Sequence, residues 1–313
     1  MTGTAASDRV IDVKAALAVG VTMVLWSSAF VAIRYAGADL HPGSLALGRL
    51  VIGAVALAAL LVVRGEGLPP RAAWPGIVAV GLFWFGVYTV ALNWGERHAD
   101  AGTAALIVGI GPILVALLGG RLLNEGFPRP LLAGLAIAFA GSAVVGLAGG
   151  GGESSLWGVL LCLVAAVGYA IGVVGQKRAL AHASALQVTT FGCALGAAAC
   201  LPFAGQLVSD VRAAPGGATL AMVYLGLLPT AVAFWTWAYA LTRMTAGRLG
   251  ATTYVVPVLV VLLSWALLDE VPTPLALAGG ALCLLGVAVS RRRPRPPAPT
   301  PAATVPATGR SSV

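Results

Sequence analysis

From residue 14 to residue 290 the chain is a succession of apolar blocks, and no other feature limits its fold so strongly. Helix rises 1.5 Å per residue, so about 20 residues cross the roughly 30 Å hydrocarbon core of a bilayer. Blocks of that length fall at 15–33, 43–63, 73–94, 100–120, 130–148, 156–176, 186–204, 218–241, 249–268 and 274–290. Short clusters of charge, glycine and proline separate them, which predicts antiparallel neighbours in one bundle. Only 10% of the 313 residues are charged, against about 25% in a soluble domain, too few to cover a surface facing water. The expected fold is all-α and membrane-embedded, with ten transmembrane helices.

The blocks repeat. "GPILVALLGGRLLNE" (111–125) is echoed by "VPVLVVLLSWALLDE" (256–270), so that Pro112 and Glu125 return as Pro257 and Glu270, 145 residues on. Between 101–145 and 246–290, 17 of 45 positions are identical. The earlier helices align at an offset of 143, where Trp26 meets Tyr169 and Arg34 meets Lys177. This divides the chain into a tail (1–13), a five-helix unit (14–148), a Gly-rich linker (149–155), a second five-helix unit (156–290) and a basic, Pro-rich tail (291–313) expected to be disordered. Five is odd, so the second unit enters the membrane inverted, the usual build of a secondary transporter.

Sorting Lys and Arg by side of the membrane puts fifteen with the N-terminus and four (Arg34, Arg49, Arg97, Arg212) on the other side. The positive-inside rule then places both termini in the cytoplasm, and the plasma (cytoplasmic) membrane is the expected location. The net charge of +8 is juxtamembrane; it calls for anionic lipid headgroups and not for nucleic acid. The first block has "SSA" at 27–29 but no clearly positive n-region, and the repeat needs it, so it is read as a retained helix and not a signal peptide. The four cysteines all fall in apolar blocks without metal-ligand spacing, so no metal and no cofactor is expected.

The segments "WSSAFVAIRYAGADLHPGSLALGRL" (26–50), "AALIVGIGPILVALLGGRLLNE" (104–125) and "ATTYVVPVLVVLLSWALLDE" (251–270) resemble the EamA-domain family of the drug/metabolite transporter superfamily. The likeness covers about 14–290. It implies ten helices around a central cavity and export of small metabolites, often amino acids or related compounds.

Several residues are placed to carry that chemistry. Proline cannot donate to the carbonyl four residues back, so Pro112 and Pro257 are expected to kink cavity helices and free the Val108 and Thr253 carbonyls. Substrate contacts are expected from polar-tipped residues at mid-depth: Trp26, Ser27, Trp84, Tyr88, Tyr169, Thr253 and Tyr254. Packing of rings within the bundle is the competing account. Arg49, two turns into the second block, offers a contact for an anionic group, although snorkelling to the interface is favoured. Glu125 and Glu270 are expected to tether helix ends. Trp94, Trp157 and Trp265 sit near block ends as belt anchors, with Trp235 and Trp237 intermediate.

Competing functions find less support. No HExxH, GxSxG or intramembrane carboxylate pair points to a membrane enzyme, and no GxxxxGK[ST] loop to an ATP-driven pump. A membrane-embedded enzyme or a channel-like facilitator remains the alternative to a secondary transporter, but neither explains two inverted halves. No carboxylate or histidine falls at mid-span, so any proton coupling would pass through end groups such as Glu96.

Overall fold

Backbone polar groups that enter hydrocarbon must find partners within the protein, and a helix supplies them segment by segment. The computed structural model describes residues 12–99, 104, 107–148, 155–268 and 271–292, and among these there is no strand. In chain order the helices are α1 (Val13–Ala36), α2 (Pro42–Val63), α3 (71–98), α4 (Gly111–Leu122), α5 (Arg129–Ala148), α6 (Leu156–Ala179), α7 (Ala185–Ala199), α8 (Ala204–Ala213), α9 (216–243), α10 (Ala246–Thr252), α11 (Val255–Leu268) and α12 (Pro274–Ser290). Among the described residues seven stretches are long and apolar enough to cross a membrane, α10 and the start of α11 counting together. An eighth is formed if α7 and α8, bent by 53°, make one crossing; α4 and α12 are shorter apolar helices. The tails at 1–11 and 293–313, the linker at 149–154, Glu270 and the side chain of Glu96 lie outside the described residues.

Local sequence explains where the helices start. Asp12 accepts a hydrogen bond from the Ala15 N–H, Ser155 from Gly158 and Thr273 from Ala276, each at 3.1 Å. Ser184 and Gln187 form a reciprocal capping box at the head of α7. These side chains satisfy N–H groups that a first helical turn leaves unpaired. Proline opens α2 and α12, where the absent N–H costs nothing.

The two repeated prolines correct an expectation. Neither kinks a continuous helix. The chain turns at Gly109–Ile110 and at Thr253–Tyr254, and Pro112 and Pro257 stand in the first turns of the helices that follow. Proline is tolerated there because its nitrogen has no intrahelical acceptor to serve. The Thr253 carbonyl is also not free, since it accepts from the Val256 N–H at 2.9 Å.

In two places the winding loosens. Val80–Tyr88 within α3 and Gly226–Val232 within α9 are π-helical. Such segments recur at functional sites because they reposition side chains within a long helix.

Packing relies on close backbone approach. A Cβ on Gly134 of α5 would stand 2.5 Å from the Gly286 carbonyl oxygen of α12, and one on Gly279 would stand 2.8 Å from that of Gly141. Only glycine allows helices to run this close. Adding 145 to the first residue of one pair and subtracting it from the second produces the other. Residues 145 apart also touch directly: the Cys283 thiol donates to the Ala138 carbonyl at 3.5 Å, and the Tyr254 hydroxyl to that of Gly109.

Candidate functional site

The core between α1, α3, α6 and α9 is aromatic. Trp84, on the π-helical part of α3, is 2% exposed. Its ring centroid lies 5.9 Å from Trp26, 5.1 Å from Tyr169, 4.9 Å from Phe234 and 5.7 Å from Trp237, all edge-to-face. Such contacts set the electropositive edge of one ring against the electronegative face of the next. Tyr88, one turn on, reaches Tyr169 at 6.1 Å. Trp26 in turn stacks at 5.0 Å on Trp237. Each of the four helices therefore contributes at least one ring.

The cluster is not saturated. The indole N–H groups of Trp26 and Trp237 are buried with no hydrogen-bond partner among the described residues. Below Tyr169 on α6, the fully buried Gln176 leaves both polar ends of its amide unpartnered there too. An unpaired buried donor costs about 1–3 kcal/mol, so an interior holding several is suited to a guest that can accept hydrogen bonds.

Trp26, Trp84, Tyr88 and Tyr169 thus meet as one group, with Thr253 beside the Tyr169 hydroxyl. Ser27 is spent within the bundle, its hydroxyl donating to the Met23 carbonyl at 2.7 Å. Tyr254 is apart: it packs with Leu135, Ala138 and Cys283 between α5, α10 and α12, and its hydroxyl is taken by Gly109. The sequence reading passed over Phe234 and left Trp237 undecided. The doubled tryptophan of "FWTWAY" was the available signal, because Phe234 and Trp237 are three apart on one helical face. Trp157 and Trp265 are 59% and 51% exposed, and Trp94 stacks on Phe203 at 5.3 Å.

Arg49 overturns the snorkelling expectation. Its side chain turns into the bundle, where Nε donates at 3.0 Å to the hydroxyl of Thr230, a fully buried residue on the π-helical part of α9. A buried threonine hydroxyl provides an acceptor where hydrocarbon provides none.

At one end of the bundle a cavity of about 810 Å³ is lined by Gly76, Glu125, Lys177, His182, Arg243 and neighbours. Its charged groups serve helix ends. Glu125 accepts from the Ala246 and Gly247 N–H groups at 2.8 and 3.3 Å, capping α10 as a tethering residue should. Lys177 donates to the Leu241 and Met244 carbonyls at 2.5 and 2.8 Å, and Arg243 pairs with Asp12 at 2.7 Å.

The EamA-like transporter family matches this chain twice, over residues 13–147 and 156–292. The chain belongs to that family. A protein of Streptantibioticus cattleyicolor named "Probable terminal-alkyne amino-acid exporter" is 38% identical over 282 residues, covering 90% of this chain and 94% of its own. The uncharacterized transporter YdfC of Bacillus subtilis is 34% identical over 263 residues, 84% and 86% of the two chains. A solved crystal structure matches with a TM-score of 0.74 at 26% identity, covering 88% of this chain and 96% of that one. With its apolar helices, this EamA-like protein is an integral membrane protein, and its relatives point to transport and away from catalysis.

Proposed function

We propose that this chain is a secondary transporter that exports small metabolites, such as amino acids or related amphipathic compounds, across the cytoplasmic membrane by alternating access. Both termini lie in the cytoplasm. Ten spans form two inverted five-helix halves, 14–148 and 156–290, and bilayer lipids cover their exposed aliphatic faces. The contacts of Cys283 with Ala138 and of Tyr254 with Gly109 support this arrangement, because residues that touch their own repeat equivalents lie on a two-fold axis. The observation that carries the reading is the unsaturated aromatic cluster, to which α1 and α3 of one half and α6 and α9 of the other contribute. Inverted halves place a substrate near the bilayer midplane between corresponding helices.

Ring faces and a few donors suit a small solute with an apolar body, held weakly enough to be released. Trp26, Trp84, Tyr88, Tyr169 and Thr253 line the site, and the cavity beside Lys177 is its cytoplasmic mouth. Ser27 and Tyr254 hold helices at its margin. Pro112 and Pro257 mark the broken turns that bend as the halves rock.

The test is counterflow of a metabolite panel in vesicles containing the full chain. At least one amphipathic metabolite should exchange, and Trp84→Phe should change the preference within the panel more than Trp94→Phe. No exchange of any member by the folded protein overturns the proposal, as does an unaltered panel in the Trp84 variant.

A further inference from the structure

We infer that Arg49 and Thr230 form the subsite that takes the carboxylate of an amphipathic monocarboxylate, and that the substrate's ammonium group, where present, is secondary. The inference rests on the transporter reading above and names the chemical class of its cargo.

Arg49 is a permanent cation about two turns, roughly 10 Å, inside the head of α2. Among the described residues the ion pairs are His41 with Asp210 and Arg243 with Asp12. Among the described residues no carboxylate pairs with Arg49. A guanidinium has five N–H donors, one on Nε and four on the terminal nitrogens, in a planar fork that matches a carboxylate. Thr230 uses the Nε donor and so orients the fork. Tyr88 stands within reach of the Arg49 charge, and its ring leads to Tyr169 and from there to Trp84. A cation therefore borders the aromatic cluster, which matches a solute with an anionic head and an apolar body.

The second half shows that the fold does not require this pair. The crossing of α2 on α9 recurs as α7 on α3, where Gly192 takes the place of Arg49, 143 residues on, and Phe85 that of Thr230, 145 residues back. The surrounding backbone is the same. A Cβ on Gly226 would lie 2.9 Å from the Arg49 carbonyl oxygen, and one on Gly81 would lie 2.9 Å from that of Gly192. A Cβ on Gly53 would lie 3.1 Å from the Gly226 oxygen, and one on Gly196 would lie 3.2 Å from that of Gly81. One helix crossing is thus built twice, once with an uncompensated charge and once with an aromatic ring. An unpaired charge in a membrane interior is unfavourable; its presence in one copy alone marks a counter-charge that arrives with the cargo.

Amide-for-acid pairs test this. L-norleucine, norleucinamide, hexanoate and hexanamide are titrated into the purified full-length protein in detergent, with tryptophan fluorescence as the readout. Norleucine and hexanoate should bind at least tenfold more tightly than their amides. Arg49→Gln should abolish that preference and Arg49→Lys should keep part of it. If Arg49→Gln does not fold, Thr230→Val serves instead and should weaken acid binding several-fold. Amides that bind within twofold of the acids, an acid preference that survives both Arg49→Gln and Thr230→Val, or binding of none of the four overturns the inference. Exchange of other solutes in the vesicle assay would then leave the transporter reading standing.

Discussion

Two helix crossings in this protein have one backbone and opposite chemistry. Where α2 lies on α9, Arg49 meets Thr230; where α7 lies on α3, Gly192 lies against the Phe85 ring. Glycines at matching positions set the approach of the helices in both. The shared part is therefore structural, and the part that differs was free to acquire a role. A duplicated scaffold makes that separation visible within one chain, since each half serves as the control for the other.

The largest effect should come from the shared part. Gly53→Val and Gly196→Val place a side chain 2.8 Å from Thr230 Cγ2 and 3.2 Å from the Gly81 carbonyl oxygen, respectively. Overpacking costs about 1–3 kcal/mol where neighbours can yield, and contacts this close, on Thr230 Cγ2 and on Phe85 Cβ next to the backbone, exceed that range. Both variants should lose folded protein in size-exclusion profiles; loss from one alone would show that the two crossings are not equivalent.

An intermediate effect separates the parts that differ. Phe85 is 1% exposed, so Phe85→Thr should lower stability by about 3 kcal/mol, as core truncations do, without creating a second acid site, because Gly192 supplies no cation. Thr230→Val should do the reverse, with little change in melting temperature but weaker acid binding. Equal stability losses in the two variants would make Thr230 a packing residue.

The smallest effect lies at the surface, where the two halves are tied by charge. The Ala15 N–H, and after it Arg243, hold the Asp12 carboxyl below its ordinary value. A depressed carboxylate pKa adds stability above the unfolded-state value, near pH 4, that is lost as pH falls through the folded-state value. Asp12→Asn should flatten only that acid limb of a melting-temperature profile. An unchanged slope below pH 4 would show that the pair contributes nothing, as exposed pairs often do.

That several of the candidate residues would meet was legible because some signals are local. A mid-span tryptophan cannot reach the interface, so Trp26, Trp84 and Tyr169 read as interior and are found together. Glu125, repeated at a helix end, read as a tether and caps α10. Arg49 was misread because its sequence neighbours say nothing of Thr230, 181 residues away. A long, flexible cation near a helix end snorkels unless an interior acceptor holds it. The π-helical turns were equally hidden, since their cost and reward depend on the helices packed against them.

By itself the sequence determined the elements: apolar length requires helices, and the family pattern, met twice, divides them into two stretches. Those properties follow from interactions among residues close in the chain, or between each helix and lipid. Only the tertiary structure decided that the prolines follow broken turns and do not bend intact helices, that Tyr254 leaves the aromatic group to bind Gly109, and that Arg49 points inward. Each of these turns on which partner from a distant helix reaches a buried polar group first, and in hydrocarbon, where water cannot substitute, that partner sets the direction of the side chain.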